Sequence, residues 1–256
     1  MIKSISTEIN RAFKRKYTWW YLLGIVGLIL IANIAVICFR TIYGANEGTY
    51  AYNLLEYATW CFVIPYYTCI LIADIGFGKE YPNPHIKDGH TNGIGRCGIY
   101  ISKLVSSLVI GAFFMVVAFV ALIIITTLFQ IKDGLVSWYS IQDFLGKAFI
   151  AVPLWFAGVS FGMMFLFTFN KKRFAIIAYI ILTLVIPRTI MLLAAEPYKI
   201  ALFRFIRTYT LNQNFSLIPY LADPARNVPL TIALGVIYGL IANIIGCVIY
   251  SKKKFE

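Results

Sequence analysis

The sequence predicts an all-α membrane protein that crosses the bilayer six times, with both termini in the cytoplasm. Three observations lead to this fold class: 60% of the 256 residues are hydrophobic, only 13% are charged, and the apolar residues gather in six long runs. Soluble domains carry about 25% charged residues, so this chain lacks the polar groups needed to cover its surface in water. A lipid bilayer is the solvent that suits such a composition.

Each apolar run is long enough to cross the membrane as one helix, since a span needs about 20 residues. We predict spans at Trp19–Phe39, Leu54–Gly76, Leu104–Phe129, Leu145–Phe169, Phe174–Ala195 and Pro229–Tyr250. None of the runs alternates between apolar and polar residues as a barrel strand would. The first run is too long for a signal peptide, so we expect it to be retained. Residues 1–256 are therefore expected to form a single transmembrane domain.

The distribution of charge sets the predicted orientation. About fifteen of the 23 basic residues lie in alternate segments outside the spans: the N-terminus, the segments after spans two and four, and the C-terminal tail. Because cytoplasmic segments are enriched in Lys and Arg, both termini are expected in the cytoplasm. The net charge is +12, but its clustering between apolar runs argues against a nucleic-acid partner. The tryptophans expected near span ends, as an aromatic belt, are Trp19, Trp20, Trp60, Trp138 and Trp155.

Residues 1–18 predict an amphipathic helix that lies along the inner membrane surface before span one. Ile2, Ile5, Ile9 and Phe13 recur at steps of three or four, and Lys and Arg residues lie between them. Basic amphipathic helices of this kind bind the interface of anionic membranes. The alternative interpretation is an ordinary basic flank that only orients the first span.

Two longer segments lie outside the predicted spans. Residues 77–103 form a cytoplasmic loop rich in Gly and Pro, and a loop of this length usually contacts a partner. Residues 196–228 form the external loop, in which Tyr198–Leu211 mixes apolar with basic residues. That composition suits a short helix at the outer membrane interface.

The sequence carries no motif for nucleotide binding or catalysis. It has no G-x-x-x-x-G-K-[ST] phosphate loop. His85, Asp88 and His90 are close in sequence, but their spacing fits no metal site, and we interpret them as a polar loop. The five cysteines form no C-x-x-C pair, so we expect buried apolar side chains rather than a disulfide or metal framework. We therefore predict no catalytic residue and no metal site.

Ionisable residues inside spans are costly and are therefore candidates for function. Asp74 and Glu56 lie near opposite ends of span two, and we favour an interfacial position for both. Arg188 lies more than half-way along span five. Its guanidinium group either lines an internal cavity or extends toward the outer interface. The candidates for helix kinks are Pro65, Pro153 and Pro187.

The segment between spans two and three has a recognisable order of residues. An acidic residue is followed by a lysine, then by a glycine and an arginine, and then by an aromatic–basic run that ends in Ser-Lys. The matching residues are Glu80, Lys87, Gly93, Arg96, Tyr100, Ser102 and Lys103. This order resembles the cytoplasmic loop of type 2 ATP-binding-cassette (ABC) export permeases, such as bacterial permeases for lantibiotic immunity or drug export. The six spans and the amphipathic N-terminal helix are similar to that family as well.

The resemblance implies a permease subunit in the cell membrane that forms a homodimer or heterodimer and docks a separate ATPase. ATP and Mg would bind to that partner, so no cofactor is expected in this chain. The residues that the resemblance assigns to coupling with the ATPase are Glu80, Lys87 and Arg96 in the loop and Arg11, Lys14 and Arg15 in the N-terminal helix. It also implies a substrate path between the two permeases, lined by spans one, two and five. The expected cargo is an amphipathic peptide, toxin or drug.

Two other classes of function stay open at this point. A membrane subunit for sensing or assembly, without transport, is compatible with every feature described so far. An intramembrane lipid-modifying enzyme would need a nucleophile with its base, or a set of metal ligands, at one membrane depth. Both histidines instead lie in one loop and the acidic residues are scattered, so this class is the less favoured one.

Overall fold

The computed structural model describes residues 2–44, 51–78, 95–130, 138–195, 198, 200–220 and 228–253. Within these residues all regular structure is helical, as predicted. The helices in chain order are α1 (Ile2–Phe13), α2 (Lys16–Tyr43), α3 (Ala51–Trp60), α4 (Val63–Phe77), α5 (Arg96–Phe129), α6 (Trp138–Thr168), α7 (Lys172–Ile180), α8 (Ile186–Ala194), α9 (Ala201–Thr208), α10 (Leu211–Leu217) and α11 (Val228–Lys252). A π-helical turn (Ile181–Val185) joins α7 to α8, and a 3₁₀ turn (Ile218–Tyr220) follows α10.

In the described part of the chain, five helical stretches are long and apolar enough to cross a membrane: α2, α5, α6, the joined α7–α8, and α11. The second predicted span, Leu54–Gly76, is a bent pair, α3 and α4, with an angle of 61° between them, and it brings the number of spans to six if the pair crosses as one unit. Pro65 explains the bend, because in a straight helix its ring would clash with the carbonyl group of Cys61. The six predicted spans therefore coincide with helices, and the second is divided at the bend.

Side chains of α6 close the backbone break between α3 and α4. Trp155 Nε1 donates to the carbonyl oxygen of Phe62 over 2.9 Å. The ring of Phe62 meets those of Trp155 and Phe144 edge to face, with centroids 5.4 and 5.6 Å away. Trp155 is only 8% exposed, so the prediction that it belongs to an interfacial belt is wrong. Helix α6 begins at Trp138 rather than Leu145, which places Trp155 in the middle of the helix.

Helix α6 is the centre of the bundle. In its most apolar stretch 56% of the residues are buried, compared with 6% in α2 and 11% in α5. Helix α11 packs along α6 through glycines: a Cβ atom at Gly235 would lie 2.5 Å from the carbonyl carbon of Pro153, and one at Gly239 would enter the ring of Phe156. Small residues let two helix backbones approach closely, and within lipid this packing is a main source of helix association.

Helix α1 lies against α4 and α5 and then turns sharply into α2. Two side chains of α2 hold this turn by donating to carbonyl groups at the end of α1. Thr18 Oγ1 donates to Ala12 over 2.6 Å, and Trp19 Nε1 donates to Phe13 over 2.8 Å. The ring of Phe13 also packs edge-on against Phe113 of α5, with centroids 5.1 Å apart. The helix predicted within residues 1–18 is thus formed, while its contact with a membrane surface stays a prediction.

The boundaries of the two predicted loops differ from the structure. Helix α4 ends at Phe77 and α5 already begins at Arg96, so the end of the segment predicted as a loop forms the first turns of α5. The segment predicted to be external contains the expected short helix as α9, which is followed by α10. Hydropathy alone cannot mark these ends, because a helix continues beyond the apolar run that crosses the membrane.

Candidate coupling site

Several helix ends meet on one face of the bundle. Helices α4, α6 and α11 end there, and α2, α5 and α7 begin there. Basic side chains on this face donate to backbone carbonyl groups or to a carboxylate of neighbouring helices, because carbonyl groups at a helix C-terminus carry partial negative charge. We call this surface the basic face. Its residues are Arg15, Arg96, Lys103, Lys172 and Lys253.

Lys103 is the most deeply buried cation of the basic face. Its side chain is 4% exposed, and Nζ donates to the carbonyl oxygen of Phe77 over 3.1 Å. The same atom lies 3.5 Å from Oε1 of Glu8 and 5.4 Å from the centroid of the Phe77 ring. A buried ammonium group needs such partners, since an uncompensated charge in the interior is strongly destabilising. Glu8 of α1 therefore neutralises a charge at the junction of α4 and α5.

Arg15 fixes the corner between α1 and α2 to the end of α4. Its Nη1 donates to the carbonyl oxygen of Ile75 over 3.0 Å. Its Nη2 also packs against Gly78: a Cβ atom at that position would lie only 2.6 Å from Nη2. Gly78 has a φ of 87°, a backbone conformation that favours glycine. The corner between α1 and α2 therefore holds the C-terminal end of α4 in place.

Arg96 joins the start of α5 to the end of α11. Its Nη1 donates to the carbonyl oxygens of Ser251 and Lys253, over 2.8 and 2.9 Å. Lys253 extends the link, since its Nζ lies 3.1 Å from the carbonyl oxygen of Phe167 and 3.2 Å from that of Thr168, at the end of α6. Partial burial lowers the pKa of Lys253 below its ordinary value. Helices α5, α11 and α6 are thus connected in series.

Asp74 and Lys172 connect α4 to α7 on the same face. Asp74 Oδ2 and Lys172 Nζ are 2.5 Å apart, and their side chains are 11% and 45% exposed. The basic face as a whole therefore holds both flanks of residues 79–94. Helix α1 binds the flanks through Glu8 and Arg15, and the other helices bind them through Arg96 and this ion pair.

A comparison with protein families identifies the class of protein that carries this site. The profile of the family described as ABC-2 family transporter protein matches residues 4–219. The chain belongs to this family. The match extends from α1 to the 3₁₀ turn and so includes both flanks of residues 79–94. Proteins of the ABC-2 family are membrane components of ABC transporters that generally lack a nucleotide-binding site, so the resemblance seen in the sequence is confirmed. A comparison with curated protein sequences gives no match.

Four of the residues predicted to couple this ABC-2 permease to an ATPase lie on or beside the basic face. Arg15 and Arg96 make the backbone contacts described above. Arg11 Nη1 lies 3.6 Å from Oε1 of Glu8, and its side chain is 56% exposed. Lys14 is exposed next to them. The predicted residues that lie outside the described part of the chain are Glu80 and Lys87, together with His85, Asp88 and His90 of the polar loop.

Glu8 and Lys253 are absent from the predicted set of coupling residues. Glu8 carries a signal that could have identified it, because it is the only acidic residue of α1. An isolated acid on a basic amphipathic helix indicates a specific partner. Lys253 carries no such signal, since three consecutive lysines at residues 252–254 read as one solvated cluster.

Arg188 and Glu56 lie at the opposite end of the permease from the basic face. Arg188 is exposed on α8, and its Nη1 lies 3.8 Å from Sδ of Met191. The phenol oxygen of Tyr67, on α4, accepts from Nδ2 of Asn212 over 2.8 Å. Glu56 is exposed on α3. Because both side chains are on the surface of this chain, any substrate path along Arg188 must also be bounded by lipid or by another protein.

Cys97 and Cys247 are joined by a disulfide, which was not expected from the sequence. Their Cα atoms are 5.5 Å apart, and the two positions are 150 residues apart in the chain. Among the other cysteines, Cys38 and Cys61 are exposed and Cys69 is buried. The expectation that the cysteines are buried apolar side chains therefore holds for Cys69, and it is wrong for the exposed Cys38 and Cys61 and for the bonded pair.

Proposed function

We propose that the chain is the permease subunit of an ABC exporter that moves an amphipathic peptide, toxin or drug out of the cytoplasm or the membrane. A separate ATPase subunit binds ATP and Mg and supplies the energy. The observation that carries this proposal is the attachment of α1 to Lys103 of α5 through Glu8, and of the corner between α1 and α2 to the end of α4 through Arg15. A partner that binds residues 79–94 would move α1, α4 and α5 as one unit.

The basic face is cytoplasmic in this proposal, and both termini lie on that side of the cell membrane. The support is electrostatic, because Lys and Arg are enriched in cytoplasmic segments of membrane proteins. Exposed Arg11 and Lys14 belong to the same surface and would meet acidic groups of the ATPase. Glu80 and Lys87 lie in the segment that would insert into it. Closure of the ATPase on ATP would then rock the spans between inward- and outward-facing arrangements.

The permease forms a homodimer or heterodimer in this proposal. Helices α2 and α7–α8 support it, since only 6% and 11% of their most apolar stretches are buried within one chain. Lipid covers part of these surfaces and a second permease covers the rest. Arg188 of α8 would then lie along the path between the two permeases, at its outer end. An amphipathic cargo suits a path that has apolar walls and one cation.

The experiment is purification of the tagged chain from its native membrane in mild detergent, followed by mass spectrometry and an ATPase assay. We expect a near-stoichiometric protein with a phosphate-loop motif and ATP hydrolysis. Arg96→Glu should reduce recovery of that protein, because reversal of the charge repels the helix ends that Arg96 holds. Arg204→Glu on α9 reverses the same charge at the other end of the bundle, and it should leave recovery unchanged.

The cargo is tested in cells that express the permease with the recovered ATPase. These cells should survive higher concentrations of an amphipathic antimicrobial peptide than cells with the Arg96→Glu variant. Recovery of the chain without any ATPase would contradict the exporter and would favour a sensor or assembly subunit.

A further inference from the structure

We propose that Cys97 and Cys247 form a redox modification site, where a small-molecule disulfide oxidises the two thiols and locks the start of α5 to the end of α11. In this structure the pair is oxidised. The site lies on the basic face, directly beside Arg96 and the end of residues 79–94. Oxidation therefore acts on the part of the permease that the proposed ATPase would move.

Packing on both sides places the two cysteines together. On one side, a Cβ atom at Gly246 would lie 2.5 Å from the phenol oxygen of Tyr100, and that oxygen donates to Oδ1 of Asn243 over 3.1 Å. On the other side, Arg96 donates to the carbonyl oxygen of Ser251. These contacts span the pair along both helices, so the helices keep their register when the thiols are reduced. A Cα–Cα distance of 5.5 Å is ordinary for a disulfide.

The exposure of the two residues sets the order of the reaction. Cys97 is exposed in the first turn of α5, where the helix dipole favours a negative charge, whereas Cys247 is half-buried. The thiolate of Cys97 attacks one sulfur of an oxidant such as oxidised glutathione and releases the first glutathione thiolate. The thiolate of Cys247 then attacks the Cys97 sulfur of this mixed disulfide and releases the second. The two glutathione thiolates take up the two protons that the cysteines lose, so two protein thiols are oxidised and one small disulfide is reduced.

The bond changes what α5 is able to do. With reduced thiols, hydrogen bonds such as those from Arg96 connect the start of α5 to the end of α11, and these can break when α5 moves. With the disulfide in place, the two helix ends move only together. We infer that oxidation holds the permease in one arrangement and stops ATP-driven cycling. The regulatory part of this inference rests on the proposed function and its cytoplasmic basic face, where the reducing pool keeps the thiols free until oxidant rises. Formation of the disulfide itself depends neither on the proposed function nor on the cytoplasmic location of the basic face.

The experiment uses the purified permease, alone and with its recovered ATPase, after reduction with dithiothreitol. Oxidised glutathione is added, remaining thiols are blocked with a maleimide, and the chain is digested for mass spectrometry. We expect a linked Cys97–Cys247 peptide, a rise in the thermal unfolding midpoint and loss of ATPase activity, all reversed by dithiothreitol. Cys97→Ser and Cys247→Ser should show none of these responses. Cys61→Ser removes another exposed thiol and should respond like the natural protein.

Each other result contradicts the proposal at a defined step. If no linked peptide is found, the proposed modification site does not exist. If the peptide links two chains, the disulfide is intermolecular. A linked peptide that is already complete in membranes quenched with acid would make the bond structural rather than regulatory. If the linked peptide forms and ATPase activity is unchanged, the disulfide does not stop ATP-driven cycling. The peptide and the unfolding midpoint are measured on the permease alone, so they stay informative if no ATPase is recovered and the proposed exporter fails.

Discussion

Oε1 of Glu8 lies 3.5 Å from Nζ of Lys103, so the amphipathic N-terminal helix supplies the counter-charge of a cation that is almost completely buried in the bundle. Lys103 also donates to the last carbonyl group of α4. The N-terminal helix is thereby attached to both α4 and α5. A movement of either helix end must be transmitted to α1 or must break this contact.

Loss of the Glu8 carboxylate should destabilise the permease. Glu8→Gln removes the carboxylate that lies 3.5 Å from the buried ammonium group of Lys103, and we expect the free energy of unfolding to fall by roughly 1–3 kcal/mol. Lys103→Met in the Glu8→Gln background removes the buried charge itself and should recover part of that loss, since the effects of substitutions at two contacting residues are not additive. Thermal unfolding in detergent for all four members of this double-mutant cycle measures the coupling.

The matched control uses Arg11, whose guanidinium group also contacts the Glu8 carboxylate. Arg11 is 56% exposed and lies 3.6 Å from Glu8, so solvent replaces most of that interaction. We expect Arg11→Gln to change stability by about 0–1 kcal/mol. An Arg11→Gln effect as large as that of Glu8→Gln would show that the exposed pair, and not Lys103, governs the stability of this corner.

The two glycines that flank residues 79–94 should respond differently to alanine. Gly78 has a φ of 87°, and its Cβ atom would lie 2.6 Å from Arg15, whereas Gly95 has no atom within 4 Å of its Cβ position. Gly78→Ala should cost roughly 1–3 kcal/mol, because the conformation is nearly restricted to glycine and the hydrogen bond from Arg15 is disturbed. Gly95→Ala should cost less, up to about 1 kcal/mol, because Gly95 is the N-cap of α5 and alanine is a poorer N-cap than glycine. Equal unfolding midpoints for the two variants would contradict the assigned role of Arg15.

The spans were predictable because the criterion for crossing a bilayer acts on each segment alone. An apolar run of sufficient length is enough, and Pro65 even marks the bend between α3 and α4. Helix ends were less predictable, since α5 starts at Arg96, before the apolar run begins at Leu104. For Trp155 the sequence predicts a position at the membrane interface, because tryptophan favours that location. Its hydrogen bond to Phe62 depends on how α6 meets the break, which no local pattern contains.

The contacts of the basic face could not be predicted as pairs. The sequence shows that basic residues cluster at alternate ends of the spans, and a resemblance to a family indicates which segments couple. The pairing of Glu8 with Lys103, or of Cys97 with Cys247, depends on which helices become neighbours. Neither pair follows a local spacing rule, so only the folded arrangement identifies it.

Helix packing in the centre of the bundle gives a third prediction. A Cβ atom at Gly235 would lie 2.5 Å from the backbone of Pro153, whereas Gly146, on the same central helix α6, has no atom within 4 Å of its Cβ position. Gly235→Ala must push α11 away from α6 and should cost roughly 1–3 kcal/mol. Gly146→Ala should be neutral or stabilise α6 by about 0.5–1 kcal/mol through helix propensity. The unfolding midpoints of the two variants, and their yields of monodisperse protein in detergent, test this expectation.

The ion pair between Asp74 and Lys172 should be more stable when it is reversed. Asp74 lies in the last turn of α4 and Lys172 is the first residue of α7, so each charge lies at the end of its helix that the macrodipole disfavours. The double variant Asp74→Lys with Lys172→Asp keeps the pair and places both charges at favoured ends. This exchange is worth about 0.3–1 kcal/mol for each residue, at the lower end for Lys172 because that side chain is 45% exposed.

Export by the double variant Asp74→Lys with Lys172→Asp should nevertheless be lower than export by the natural protein. The natural charges belong to the face that the proposed ATPase contacts. Stability that is given up at such a position is typical of residues retained for function. The unfolding midpoint and the ATPase activity of the purified complex are measured for the natural protein, for each single variant and for the exchange. A reversed pair that is less stable than the natural one would show that the surroundings of Asp74, and not the helix dipoles, determine its charge. A more stable pair with full activity would show that the orientation of these charges has no part in coupling.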